Sequence, residues 1–264
     1  MIESYDELVQ AMRGLGTDLM AWRSDAGART VLSQRDFKLE ADKRAHQRLA
    51  EVISRNWPDT PIISEEDATH VEKRPPRYWL IDPIDGTASW YGGFPGFVTQ
   101  AALIENSVPV AGFVFQPAAD RFFAAIKGRG ASLNGARLAP LSPRDGLIMT
   151  DNTPEPHGIV APLMSALQAT GYVESGSLGL KCCLVAAGDA DLFVKAVVVR
   201  DWDLAPAAAI FTEIAATLVL PDGSTYRFDG AWEKPDGFIA ARNSRIANRA
   251  VTALHDIVSK GVNA

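Results

Sequence analysis

Residues 78–87 read Tyr78-Trp79-Leu80-Ile81-Asp82-Pro83-Ile84-Asp85-Gly86-Thr87. The apolar residues at the front form a brief buried strand, and it runs without a linker into two aspartates three positions apart. Pro83 stiffens the turn between them, so both carboxylates and the Ile84 carbonyl can face one place. Gly86 lets the backbone approach an anionic group closely, and amides near Thr87 would cradle its oxygens if a short helix starts there. The competing reading of Asp82–Thr87 is a surface turn capped by Thr87.

Upstream of this stretch, apolar residues at Ile2, Tyr5, Leu8, Val9, Met12, Leu15, Leu19 and Trp22 predict a helix over 2–23 with one wet face. A second helix fits Glu40 to Asn56 and is broken by Trp57-Pro58-Asp59. Pro61-Ile62-Ile63 predicts a short strand ending at Ser64-Glu65-Glu66-Asp67, and the charged run from Thr69 to Arg77 an exposed loop. Downstream, 97–104, 110–116 and 121–126 form a meander, with Asn134-Gly135 as a further hairpin turn. The first half therefore combines two helices with a largely antiparallel sheet.

The second half alternates differently. Strands are expected at Leu147–Met149, Ala190–Phe193, Thr217–Leu220 and Phe238–Ala241, and helices at 158–169, 178–187, Leu204–Ala215 and from Ser244 onward. Pro140, Pro143 and Gly146 mark a soft boundary, giving halves of 1–142 and 143–264 in one unit with the site between them.

Composition narrows the class. Of 264 residues 47% are apolar and 22% charged, with no low-complexity tract, which describes an ordinary globular enzyme rather than a disordered chain. A net charge of −6 argues against a nucleic-acid polymer as partner, since such binding needs many Lys/Arg. A small anionic substrate remains compatible, provided that bound cations make the site locally positive. No apolar run approaches the roughly 20 residues that span a bilayer, so no membrane association and a cytoplasmic setting are expected. Cys182 and Cys183 are adjacent in an apolar run and are read as buried, reduced thiols. The histidines are scattered, and no nucleophile elbow or Cys/His pairing is present.

What remains is a set of acidic residues at strand ends and helix starts: Asp42, Glu65/Glu66, Asp82/Asp85 and Asp203. Brought together they would repel unless cations sat among them, and Mg²⁺ takes hard oxygen ligands of this kind. Each alone has a plain reading. Ser64–Asp67 is an acidic turn, Asp203 the N-cap of the helix after it, and Asp42 a surface residue.

Taken in order, these signals resemble the inositol monophosphatase family of Mg²⁺-dependent phosphatases, which also holds the 3′(2′),5′-bisphosphate nucleotidases. The likeness is strongest at Ile63–Glu66, Trp79–Thr87, Gly112–Gly135, Gly176–Asp191 and Asp201–Ala205. It implies an α/β (α+β) fold, a layered αβαβα sandwich of the inositol monophosphatase / fructose-1,6-bisphosphatase type, and a possible homodimer. It implies that Glu65, Asp82, the Ile84 carbonyl, Asp85 and Asp203 hold two or three Mg²⁺ ions. By the same likeness Asp42 and Thr87 orient and deprotonate the attacking water, Glu66 assists from further out, and Gly86 with Thr87 holds the phosphate. Gly176 and Ser177 resemble the segment lining the substrate pocket.

Two departures bear on the substrate. Leu39 stands where many relatives have Thr, and Ala196 where inositol-specific members carry a Glu. Ser64–Asp67 and Leu180-Lys181-Cys182-Cys183-Leu184 are closer to the bisphosphate nucleotidases, with Lys181 or Arg200 available for a second phosphate or else solvated. The activity so implied is hydrolysis of a small phosphate monoester, 3′-phosphoadenosine 5′-phosphate first, with inositol monophosphate or histidinol phosphate as alternatives. A silent metal- and phosphate-binding protein is the reading from another class. A structural Ca²⁺ site fits poorly, since such a site is commonly built on one loop. Asp85→Asn is expected to abolish phosphate release while leaving the fold intact.

Overall fold

The computed structural model describes residues 5–33, 38–67, 73–142 and 144–261. Its order is α1 (Asp6–Trp22), α2 (Glu40–Asn56), β1 (Ile62–Ser64), β2 (Arg77–Asp85), α3 (Thr87–Gly92), β3 (Val98–Glu105), β4 (Val108–Gln116), β5 (Arg121–Ile126), β6 (Gly130–Leu133) and β7 (Ala136–Leu138). Then come β8 (Ile148–Asp151), α4 (Val160–Leu167), β9 (Gly171–Glu174), α5 (Leu178–Ala187), β10 (Leu192–Lys195), α6 (Asp201–Ile214), β11 (Thr217–Val219), β12 (Phe238–Ala241) and α7 (Ser244–Ser259).

β1 to β7 form one seven-stranded sheet in sequence order, antiparallel except for the parallel β1–β2 pair. Asn134-Gly135 makes the β6–β7 hairpin, with both residues at positive φ. A five-stranded sheet has the order β9-β8-β10-β12-β11, parallel among β9, β8 and β10 and antiparallel beyond.

Alternation along the strands decides the layering. On β2, Trp79 and Ile81 pack with Leu8, Met12, Leu15 and Leu19 of α1 and with Leu49 and Ile53 of α2, while Tyr78 and Leu80 face α5 and α6 on the other side. Full burial of each such side chain contributes about 1.5–3 kcal/mol. α5 and α6 lie between the sheets, reaching Phe193 and Ala240 of the second sheet, so most of each helix is buried and apolar, from Leu178 to Ala186 apart from Lys181 and from Leu204 to Phe211. Met149, Leu192 and Ile239 point outward to α4 and α7. The result is the αβαβα sandwich.

Several expectations shift. α6 starts at Asp201, not Leu204, and β2 continues through Asp82-Pro83-Ile84-Asp85 instead of stopping at Ile81. β9 was not anticipated. It is a short, half-exposed edge strand with little apolar signal. The first sheet ends at Leu138 and the second begins at Ile148. Ile2, Thr69–Glu72 and Pro143 lie outside the described residues. Among the described residues no helix is long and apolar enough to cross a membrane.

Candidate active site

β1 and β2 run parallel, so the acidic turn after Ser64 lies beside the aspartates that end β2, and the Glu65 N–H donates to the Ile81 carbonyl at 3.2 Å. The β2–β3 register slips between Asp82 and Asp85, letting both carboxylates leave the sheet on one side. Asp203 lies in the first turn of α6, far along the chain from the β1 and β2 carboxylates. One carboxylate oxygen from each of Asp82, Asp85 and Asp203 lies within 4.8 Å of the others. Glu65 lies beside this group, close enough that its charge raises the Asp82 carboxyl.

All four carboxyls are pushed above the usual carboxylate range. Burial is the first cause for each, and the charges of acidic neighbours add to it at Glu65, Asp82 and Asp203, whereas at Asp85 hydrogen bonds and the Lys181 charge oppose it. Buried and part-buried carboxylates that repel one another form a hard oxygen donor set whose repulsion a divalent cation would relieve. The residues present fit Mg²⁺.

Asp85 is held differently from Asp82. Its Oδ2 accepts from Ser177 Oγ at 2.7 Å, the Gly179 N–H at 2.7 Å and Gln100 Nε2 at 3.1 Å, while Oδ1 accepts from the Leu178 N–H at 3.2 Å. It therefore caps the first turn of α5, and these bonds oppose the upward effect of burial. Gln100 also donates to the Trp202 carbonyl at 3.2 Å. That carbonyl lacks its helical partner because the residue four positions on is Pro206, which has no N–H.

Asp42 is 3% exposed in the first turn of α2, so the surface reading gives way. Its Oδ2 accepts from the Leu39 N–H at 2.7 Å, and its Oδ1 lies 3.2 Å from Thr87 Oγ1, which is also 2.9 Å from the Ile84 carbonyl. Burial first, and then the charges of Glu66 and Glu65, raise the Asp42 carboxyl to about 7, against the lowering hydrogen bonds from Leu39 and Thr87. Gly86 is at φ 89°, which glycine adopts without strain, and a Cβ there would press on the Gly96 carbonyl. Gly176 packs so tightly on Gly96 and the Ser89 hydroxyl that a Cβ would collide with both.

A match to the inositol monophosphatase family spans residues 3–259. The chain belongs to this family. It is 31% identical over 199 residues, covering 72% of the chain and 74% of the relative, to the Nus factor SuhB of Pasteurella multocida. It is 30% identical over 211 residues, covering 78% and 85%, to the 3′(2′),5′-bisphosphate nucleotidase CysQ of Escherichia coli O157:H7. Among solved structures, the IMPase of Thermotoga maritima superposes with a TM-score of 0.81 at 25% identity, over 97% of this chain and 98% of that one.

Within this member of the inositol monophosphatase family, the cations and supporting groups are placed as follows. Lys181, read as either phosphate-binding or solvated, has a side chain 2% exposed, so it is not solvated. Its Nζ donates to the Gly176 carbonyl at 2.9 Å and lies 4.8 Å from the Phe193 ring centroid, and burial lowers its pKa to about 8. Arg200 is half-exposed, with Nη1 3.9 Å from Glu65 and Nε 3.0 Å from Glu233. Asp203 is not an N-cap; its Oδ2 accepts the Arg200 N–H at 2.9 Å. Cys182 and Cys183 are buried free thiols pushed upward by burial, as read.

Sequence reasoning missed three side chains at the site, those of Gln100, His46 and Lys38. Gln100 sits in an apolar strand, His46 and Ser64 touch at 2.9 Å between Nδ1 and Oγ, and Lys38 contacts both glutamates of the Ser64–Asp67 turn. Only the i, i+4 spacing of Asp42 and His46 on α2 offered a signal.

Proposed function

We propose that this member of the family is a Mg²⁺-dependent phosphomonoesterase acting on a small phosphorylated metabolite, with 3′-phosphoadenosine 5′-phosphate as the preferred substrate. The carrying observation is the convergence of Asp82, Asp85 and Asp203 beside Glu65, with the Asp42–Thr87 pair next to them. Glu65, Asp82, Asp85, Asp203 and the Ile84 carbonyl would hold the ions, two or three in number. Mg²⁺ bound there supplies positive charge to the phosphoryl oxygens and acidifies water.

The chain's own residues do the rest. Thr87 Oγ1 donates its proton toward Asp42 Oδ1 or the Ile84 carbonyl, leaving lone pairs that accept from the attacking water and orient it. Asp42 Oδ1, with its carboxyl raised to about 7, is poised to take the water's proton near neutral pH. The backbone at Gly86 and Thr87 holds the phosphoryl group, and Gly176 with Ser177 lines the pocket. Lys181 supports that segment from beneath through the Gly176 carbonyl. Glu66 acts from further out. No covalent intermediate is required.

The bisphosphate preference is supported by the likeness to CysQ and by Ala196, which offers no carboxylate to sugar hydroxyls. Similarity to proteins named Nus factor supports a second reading, a binding protein without turnover. Retention of Asp42 and Thr87 weighs against it. The cytoplasmic setting, the homodimer, the absence of a nucleic-acid polymer partner and the halves 1–142 and 143–264 belong to the same proposal. Its test is phosphate release, with and without chelator, from 3′-phosphoadenosine 5′-phosphate, inositol monophosphates, histidinol phosphate and fructose 1,6-bisphosphate. Chelator-sensitive release, greatest from the first, is expected. Binding of these esters without release would establish the second reading.

A further inference from the structure

Lys38 belongs to a two-residue strand, Lys38–Leu39, paired antiparallel with Val31–Ser33. On its other side the Leu39 N–H is tied to Asp42, so the backbone carrying Lys38 is fixed from both directions. A surface lysine ordinarily runs its ammonium into water. Here Nζ turns inward, donating to the Glu65 carbonyl at 3.0 Å and lying 3.3 Å from Glu66 Oε2.

Those two oxygens, a carbonyl and a carboxylate on the same side of one turn, are of the kind that Mg²⁺ takes as ligands at about 2 Å. An ammonium bound to both cannot share them with a divalent ion. The charge of Lys38 also opposes the upward pull of burial on the Glu65 carboxyl, so it reaches the acidic cluster itself.

We propose that Lys38 is a positioning residue acting as a fixed monovalent cation on the outer side of the Glu65–Glu66 pair, where it orients both residues and denies that place to a divalent ion. The inference rests on the proposed metal-binding role of the carboxylate cluster. Its test counts Mn²⁺ bound per chain by equilibrium dialysis of the wild type, Lys38→Met, Lys38→Gln and Lys38→Arg, with chelator-treated melts to confirm folding.

One more Mn²⁺ per chain is expected in the Met and Gln variants than in the wild type, and the wild-type count in the Arg variant. An unchanged count with unchanged affinity in the folded Met or Gln variant overturns the inference alone. Absence of bound Mn²⁺ in the wild type overturns the phosphatase reading and this inference with it.

Discussion

Removing a charge from the cluster tests whether its carboxylates repel one another, and Asp82→Asn does so with the least collateral change. Asp82 Oδ1 accepts the Ile84 N–H at 3.1 Å, which an Asn carbonyl oxygen preserves. The lost term is electrostatic. With oxygens of Asp82, Asp85 and Asp203 within 4.8 Å, each fully ionised pair at an effective dielectric near 20 repels by at least about 3.5 kcal/mol. Shared protons relieve part of this in the cation-free protein, leaving a net gain of about 2–3 kcal/mol for the variant at pH 8. For a chain of this size that is roughly 4–12 °C in Tm.

The sign depends on pH. A carboxyl raised in the folded state contributes stability that is full below its unfolded value and is lost as pH rises through the folded one. The Asp82→Asn variant should therefore melt above the wild type in chelator at pH 8, with the gap closing toward pH 5. Mg²⁺ should stabilise the wild type more than the variant, and phosphate release by the variant should be lost. Calorimetric melts at both pH values, with chelator or Mg²⁺, and a phosphate-release assay read all of this. An Asp82→Asn protein less stable than wild type in chelator at pH 8, or one with near-normal turnover, would refute the clustering.

Two further outcomes follow from single positions. Asp42, raised to about 7, must be ionised to accept a proton, so kcat should rise as pH climbs through an inflection at or below 7, since a cation on Glu65 offsets one raising charge; Asp42→Asn should remove the inflection and cost about 10²–10⁴ in kcat, read from the pH–rate profile. Gly176→Ala forces a methyl into the Gly96 carbonyl and the Ser89 hydroxyl, costing about 1–3 kcal/mol in a denaturant melt and raising KM by displacing the pocket segment.

The acidic set was legible because each member sits where an apolar pattern ends. Strand β2 and helix α2 are written in their periodicities, and Asp82, Asp85 and Asp42 stand at their termini. The start of α6 was not, because taking Asp203 as the N-cap puts the helix start at Leu204, beyond Asp201. Asp201 is fully buried, bonded to Tyr226 at 2.8 Å and to Arg74, whose guanidinium stacks 3.7 Å from the Trp232 ring centroid. Those partners are far apart in sequence, and no local pattern announces them. Gln100 was hidden for a related reason. Its role is to satisfy a carbonyl that Pro206 leaves open on another element, which only the packed layers reveal. Lys38 carries no motif at all, and its meaning comes from the turn it faces.

Asp82 and Asp85 look like twins in the sequence, and the hydrolase reading expects Asp85→Asn to spare the fold. The structure separates them. The Asp85 carboxylate joins β2 to the first turn of α5 through Ser177, Leu178 and Gly179, and to β3 through Gln100. An Asn in its place can keep the Oδ2 bonds only by turning an amide toward the Leu178 N–H, and it loses the negative charge at a helix N-terminus. Losing a charge-assisted bond costs about 1–2 kcal/mol in chelator, which offsets part of what the relieved repulsion contributes, so Asp85→Asn is expected to stabilise the protein less than Asp82→Asn does. Melts of the two variants side by side therefore distinguish a carboxylate held by repelling neighbours from one held by donors. If Asp85→Asn raised Tm at pH 8 as much as Asp82→Asn does, Asp85 would not be acting as the tie from β2 to α5 and β3 that its four hydrogen bonds describe.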